Sequence, residues 1–392
     1  MAVTFVKPAL AQDALRVLHV GKFYPPYMGG METHLQVLCE NLQSEIDVQV
    51  VVANQGRRGA EDLVRGIKVT RTGTLFNFSA APICPEMVST IRRTRADIVH
   101  LHLPNPMAVL AWLASSHQGK LVITYHSDVV RQRVLGKAFE PFLHRVLERS
   151  AAIIATSPNY IESSPVLPAY RDRCSVIPFG IPVDQFQRRD QLAVARLRQG
   201  YGQRLILSVG RLVYYKGFEY LIRAMSRVTG RLLLVGNGPL RNELERLARD
   251  CGVSDRVVFL GNVSDEELIQ FYHAADVFAL PSIARSEAFG IVQLEAMACG
   301  KPVINTRLDS GVPFVSLDGK TGLTVPPADV DALADALNQL LDDPLRRAKY
   351  GEAARQRVLS EFSLETMTRR VLQLYSQVTG QEAGRLRLAT AR

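Results

Sequence analysis

Short β-branched runs alternate with amphipathic stretches along almost the entire chain, and this alternation constrains the fold more than any other feature. In the first half the strand-like runs cover residues 15–20, 48–53, 98–103, 120–125 and 152–156. In the second half they cover 205–209, 231–235, 256–260, 277–280 and 302–305. Helical patterns lie between them, at 33–42, 220–226, 240–250, 265–273 and 331–341. Strands separated by helices imply βαβ units, whose parallel sheet is covered on both faces. Two such series predict an α/β chain of two doubly wound domains. Pro178, Gly180 and Pro182, followed by a polar, Arg-rich stretch up to residue 203, mark the seam. The expected first domain is 1–188 and the second 189–360. A final helix is expected over 361–380, with Ser363 as its N-cap, and a basic tail over 381–392 that frays.

The 392 residues are ample for two cores. Apolar types make up 47% and charged types 22%, which excludes a mainly disordered chain. Five cysteines, an odd number with no CxxC pair, argue against a disulfide scaffold or a cysteine-built zinc site and fit a reducing cytoplasm. Lys7 and Pro8 interrupt the apolar start, so the first residues read as a loose tail rather than a signal peptide. No stretch supplies the ~20 apolar residues of a membrane span. The net charge of +9 divides as five and four between residues 1–190 and the remainder, without a run of five or more like charges. An anionic small molecule or an anionic membrane explains it as well as nucleic acid does, and no nucleic-acid partner is expected.

Ligands of open parallel sheets bind outside the carboxyl ends of the strands, and the conspicuous motifs lie there. Gly21–Glu32 reads GKFYPPYMGGME, and Gly29-Gly30 either lets a backbone approach an anionic ligand at a helix N-terminus or forms a flexible turn. Arg211 and Lys216 flank the loop after residue 209; a guanidinium fork and a point charge together can neutralise a diphosphate, unless both are plain surface charges. Gly236-Asn237-Gly238-Pro239 suits the edge of a base or ribose, or is simply a tight turn. The most specific segment is SEAFGIVQLEAMACG, residues 286–300. Its glutamates, Glu287 and Glu295, are eight apart, ~12 Å along a regular helix. That is too far for the ~5 Å carboxylate pair of a retaining hydrolase, so each is expected to do a separate job. Glu287 would reach the reacting sugar and Glu295 would accept ribose hydroxyls. The N–H groups at Phe289, Gly290 and Ile291 would hold phosphate oxygens. His126 ends a strand, where it either meets a sugar hydroxyl or holds the backbone. His100 and His102 share one strand face, but with no further ligand in sight they do not suggest a metal. Asp329-Val-Asp331 precedes a helical pattern and reads as an N-cap rather than a metal-binding Asp-x-Asp.

This ordered set resembles the family-4 retaining glycosyltransferases of GT-B fold. The resemblance rests on Pro26–Glu32 (PYMGGME), His126, Arg211…Lys216-Gly217, Gly236–Pro239, Glu287-x7-Glu295 and Gly319–Pro327 (GKTGLTVPP). It extends from about residue 15 to 378. It implies two Rossmann-like domains facing across a cleft, a nucleotide-sugar donor held mainly by the C-terminal one, and a last helix crossing back to the N-terminal one. By this resemblance Arg211 and Lys216 hold the diphosphate, Glu295 the ribose and Glu287 the transferred sugar. Gly29-Gly30 closes over the donor, and His126 contacts the sugar or the reaction centre. No cofactor or metal is expected, because fixed cations and helix N–H groups can stabilise the departing diphosphate. The family often has two glycines and then Pro-Glu where this chain has Ser310-Gly311-Val312-Pro313-Phe314.

The segment RSEAFGIVQLEAMA is similar to those of bacterial polysaccharide mannosyl- and rhamnosyltransferases. GDP-mannose is therefore the first donor expected and a UDP-hexose the second. The expected acceptor is a glycan or polyprenyl-linked oligosaccharide. Residues 131–150 pattern as a basic amphipathic helix, interrupted by Pro141, that either packs in the core or contacts anionic lipid. The expected location is the cytoplasm, with contact to the inner face of the plasma membrane. A sugar-nucleotide epimerase and a non-catalytic nucleotide-sugar-binding partner are the competing readings.

Overall fold

A computed structural model of the full chain describes residues 14–27, 29–78, 81–128 and 133–381, without side chains for 133–137. It divides into two compact units. The first comprises residues up to Thr156, Ser164–Ile177 and Met367 onward; the second comprises Ser157–Ser163 and Pro178–Thr366. The division thus falls at 177/178 rather than 188/189. The Arg-rich stretch taken for part of the seam is a helix of the second unit, Gln191–Tyr201, capped by Asp190 Oδ1 through the N–H groups of Leu192 and Ala193.

The first unit is built on an eight-stranded sheet. Its spatial order is Cys174–Val176, Ala152–Ala155, Lys120–Tyr125, Ile98–Leu103, Arg16–Val20, Asp47–Ala53, Ile67–Thr72 and Ala60–Val64. All neighbours are parallel except the last pair. Ile98–Leu103 is buried along its whole length, as a central parallel strand should be, yet carries two histidines. The order turns back between Arg16–Val20 and Ile98–Leu103, where His19 lies opposite His100. Helix Leu364–Thr379 contributes Met367, Val371, Leu372, Leu374 and Tyr375 as buried side chains. Ser363 Oγ accepts from the Thr366 N–H at 3.1 Å, the capping geometry expected.

The second unit carries six parallel strands in the order Val257–Gly261, Arg231–Val235, Leu205–Val209, Val277–Leu280, Val303–Thr306 and Gly322–Val325. Alternate strand residues feed two separate cores. Leu205, Leu207, Leu233 and Phe278 meet Tyr272, Met297 and Val358 on one face. Ile206, Leu232, Leu234 and Val277 meet Leu221, Leu244 and Leu337 on the other. The strand order reverses between Leu205–Val209 and Val277–Leu280. The carboxyl ends of these two strands open into the segments bearing Lys216 and Glu287.

Strands Ala60–Val64, Ile67–Thr72, Cys174–Val176 and Gly322–Val325 and helices Glu86–Arg93, Pro106–Ser115 and Pro344–Glu361 were not foreseen from the sequence. Ala60–Val64 is an exposed edge and reads as polar for that reason. All five cysteines are free thiols. Among the described residues no helix is long and apolar enough to cross a membrane.

Candidate active site

In the second unit, the segment after Leu205–Val209 makes a single 3-10 turn, Tyr214–Lys216, closed by Gly217. Gly217 has φ +66°, and a Cβ there would lie 2.1 Å from the Pro281 carbonyl oxygen. The glycine therefore lets the two loops touch, and the Ile283 N–H donates to Tyr215 O at 2.8 Å across the same seam. This contact sets Lys216 Nζ 2.5 Å from Glu287 Oε2. Both side chains retain only about a tenth of their exposure (11% and 10%), and Ser282 Oγ donates to the same carboxylate oxygen at 3.1 Å. Arg211, by contrast, is exposed and forms no ion pair among the described residues. The structure thus keeps one cation buried against a carboxylate and leaves the other open to a ligand.

Glu295 sits on helix Ile291–Ala298, whereas Glu287 lies in the loop before it. Each has its own partners, in keeping with separate jobs. Tyr272 Oη donates to Glu295 Oε2 at 2.6 Å. Burial pushes the Glu295 carboxyl up from the usual carboxylate value, and the Tyr272 hydrogen bond opposes that shift. Tyr272 is fully buried on helix Asp265–Ala274. Sequence reasoning missed it, because its pattern there is that of any core aromatic.

Gly290 is the N-cap of Ile291–Ala298, and the first N–H groups of a helix have no preceding turn to bond. Phe289 offers only its backbone to a ligand: its ring is buried edge-on against Phe179 and Phe362. The turn at Gly236–Pro239 is closely packed against the Arg211 loop. A Cβ on Gly236 would sit 2.2 Å from Gly210 O, and Leu212 N–H donates to Asn237 O. Asn237 Oδ1 accepts from Arg241 at 3.0 Å. The turn therefore supports the Arg211 loop. Gly311, where the family pattern departs, donates its N–H to Ala288 O at 2.7 Å. Asp329 caps its helix through the Ala332 N–H, as expected.

In the first unit, helix Gly30–Leu42 starts after Gly29. Gly29 is extended, and a Cβ on Gly30 would meet nothing within 4 Å. The fold itself does not demand glycine at position 30, whereas a Cβ on Gly29 would lie 2.3 Å from Glu32 Oε2, the end of a flexible side chain. His126 does not stand exposed at its strand end: it retains 5% exposure. Its Nε2 is 3.1 Å from His102 Nδ1, and His102 Nε2 is 3.0 Å from His19 Nδ1. His34, on helix Gly30–Leu42, lies edge-on to His126 with ring centroids 5.2 Å apart.

The His100/His102 pair therefore does have neighbours, contrary to the sequence expectation. Ring nitrogens of His19, His100 and His102, and of His34, His102 and His126, lie within 4.8 Å of one another. Both groups are histidine alone, so a bound cation would bury its charge without a carboxylate. The closest nitrogens are already spaced as hydrogen-bond partners. Burial holds His100, His102 and His126 well below the usual imidazole pKa, His19 near about 3 and His34 near about 4, so all five are neutral at pH 7.

Arg131 lies outside the described residues, as do the side chains of 133–137. In the described part of helix Arg133–Arg149, Val146 and Leu147 are buried while Phe142 is 46% exposed. The stripe splits between core and surface. Residues 382–392 of the expected tail are also outside the described residues.

Two family profiles match. The one described as Glycosyl transferases group 1 covers residues 194–357, and the one described as Glycosyltransferase Family 4 covers residues 28–185. The chain is 32% identical over 366 residues to the O-antigen chain mannosyltransferase C of Escherichia coli, covering 92% of this chain and 98% of that one. It is 33% identical over 356 residues to the D-rhamnosyltransferase WbpZ of Pseudomonas aeruginosa, covering 89% and 92%. The structure superposes on the sucrose-phosphate synthase of Thermosynechococcus elongatus with a TM-score of 0.75 and 25% identity, over 93% of this chain and 99% of that one. Two parallel α/β units, motifs at their strand ends and these matches over nearly the whole length agree: the chain belongs to the family 4 glycosyltransferases of GT-B fold.

Proposed function

We propose that this glycosyltransferase moves a hexose, with retention at the anomeric carbon, from a nucleoside diphosphate sugar to a glycan or polyprenyl-linked oligosaccharide in bacterial polysaccharide synthesis. The buried Lys216–Glu287 pair at the sheet's switch point is the observation that carries this reading. A diphosphate entering there meets Lys216, the open Arg211 and the N-terminus of Ile291–Ala298, three sources of positive potential. As the sugar–oxygen bond breaks, negative charge grows on the departing diphosphate, and these fixed groups stabilise it without reorganising. Glu287, relieved of part of its partner's charge as Lys216 turns to phosphate, accepts hydroxyls of the transferred sugar. Glu295, oriented by Tyr272, accepts the ribose hydroxyls. Gly29-Gly30 is assigned to the donor and His126 to the reacting sugar, the roles that the family resemblance implies.

GDP-mannose is the first donor, because the Escherichia coli relative is named a mannosyltransferase. Chelators should leave turnover unchanged, since cations of the chain do the work a metal would do. Anionic lipid at residues 131–150 is proposed as the surface that brings a lipid-linked acceptor within reach, and co-sedimentation with anionic vesicles at low salt tests it. The function is tested by incubating the full chain with radiolabelled GDP-mannose and membrane-extracted glycolipid acceptors. Transfer of label to the lipid phase with α-configured product supports the reading. Isomerised nucleotide sugar, or donor binding without transfer to any acceptor, overturns it in favour of an epimerase or a non-catalytic binding partner.

A further inference from the structure

The polar contacts of the first unit form one continuous chain. Thr124 Oγ1 lies 2.7 Å from His100 Nε2, and His100 Nδ1 lies 2.6 Å from Tyr375 Oη. Tyr375 Oη is 3.4 Å from His19 Nε2, the longest link. His19 Nδ1 then meets His102 Nε2 at 3.0 Å, and His102 Nδ1 meets His126 Nε2 at 3.1 Å. We propose that this hydrogen-bonded chain sets the tautomer of His126, making His102, His19 and Tyr375 positioning residues for sugar transfer.

A neutral imidazole has one N–H and one lone pair, on opposite nitrogens. His19, His100 and His102 each use both nitrogens in the chain, so each passes on the polarity it receives. Two arrangements satisfy every link and also use the Tyr375 O–H as a donor within the chain. In one, Thr124 donates to His100, His100 to Tyr375, Tyr375 to His19, His19 to His102, and His102 to His126 Nε2; His126 then carries its proton on Nδ1. In the other every bond reverses, and His126 carries its proton on Nε2. A chain that reverses at an imidazole contact would leave two lone pairs or two N–H groups facing each other, and one that reverses at Tyr375, with both histidines donating to Oη, would leave a fully buried O–H without an acceptor in the chain. The imidazoles remain neutral at pH 7 because burial disfavours their charged forms. The chain begins on the last helix and on strand Lys120–Tyr125 and ends on the residue proposed to meet the sugar. The protonated nitrogen of His126 is thus coupled to the O–H direction of a tyrosine 249 positions away, as Tyr375 and His126 stand in the sequence.

The inference rests on the role proposed for His126, but its test does not need turnover. In the full chain labelled with 15N-histidine, two-bond 1H–15N spectra report which ring nitrogen of each histidine is protonated, and the loss of one signal in His126→Gln assigns His126. The wild type is expected to show His19, His102 and His126 each as a single neutral tautomer. Tyr375→Phe removes the hydroxyl that joins His100 to His19. It should convert His126 to a mixture of tautomers and lower kcat at least about tenfold, as when a catalytic imidazole loses tautomer control. The donor KM should stay unchanged. A folded Tyr375→Phe protein with the wild-type His126 tautomer and kcat overturns the proposal. If that variant does not fold, His19→Asn keeps a polar atom toward His102 while cutting the link to Tyr375, with the same two readings. If neither folds, the wild-type spectrum decides alone: rings averaging rapidly between tautomers overturn the chain, and locked ones uphold it. A wild type that transfers no sugar yet shows locked tautomers would refute the proposed transfer and, with it, the positioning role, while leaving the tautomer-setting chain itself standing.

Discussion

At the residue scale, Lys216 and Glu287 are a buried ion pair as well as candidate catalytic groups, and this complicates simple truncation. Removing one partner strands a charge, at a cost of about 3–5 kcal/mol. Lys216→Ala and Glu287→Ala should therefore lower the denaturation midpoint as well as cutting turnover at least about 100-fold. Single variants of wild-type stability would contradict the pairing. Glu295 gives a pH prediction of definite sign. Its folded-state pKa is raised, so its own contribution to stability is present at low pH and is lost as pH rises through that pKa. Donor affinity runs the other way, because ribose hydroxyls need the carboxylate, and it should weaken as pH falls through the same pKa. Tyr272→Phe removes a hydrogen bond that holds this pKa down. The fall in affinity should then begin at higher pH, as read by donor titrations from pH 4 to 8; an unmoved or lowered midpoint would contradict the assigned contact. The glutamates were legible from the sequence because each sits at a fixed place relative to a strand end. Tyr272 was not, because a buried tyrosine that orients a carboxylate has the same sequence pattern as one that only fills space.

At the scale of elements, two glycines that look alike in sequence behave differently. Gly236 has φ +123° and a carbonyl oxygen 2.2 Å from where a Cβ would stand. Gly236→Ala should lower the melting temperature through backbone strain and displacement of the Arg211 loop. Gly30 has neither constraint. Gly30→Ala should melt like the wild type and raise the donor KM; unchanged KM would remove the first unit's glycine motif from the donor's path. The loop motifs could be read in sequence because charges and glycines after a strand are few and ordered. The histidine chain could not. Its members come from strands Arg16–Val20, Ile98–Leu103 and Lys120–Tyr125, the residue that follows the last of these, and a helix near the end of the chain. Only the pairing register places His19 beside His100 and His102. The one available signal was two histidines in an otherwise apolar, fully buried strand.

At the scale of the whole molecule, four buried histidines and the half-buried His34, all neutral, tie stability to pH. Their folded-state pKa values lie below the ordinary 6.5, with His19 near about 3 and His34 near about 4. Between those values and 6.5 the unfolded chain binds more protons, so stability falls as pH drops below about 6.5. Each such group contributes up to about 1.4 kcal/mol per pH unit. The melting temperature should decline steeply from pH 6.5 to 4.5, and a flat profile would contradict the neutral cluster. The two-domain α/β architecture was legible because parallel strands buried on both faces read as continuous apolar runs. The strands missed at the sheet edges, AEDLV, CSV and GLTV, are less apolar, and the division at 177/178 depends on packing rather than on local punctuation.

Lys216 and Glu287 are the residues proposed to hold the donor. Replacing both partners by neutral groups avoids the stranded charge and should leave stability nearly unchanged. Calorimetric titration of the wild type and of the Lys216→Met, Glu287→Gln double variant with GDP-mannose tests the claim directly. The account predicts a folded double variant that binds the donor at least about 100-fold more weakly, equivalent to about 2.7 kcal/mol. A folded double variant that binds GDP-mannose as tightly as the wild type would contradict it.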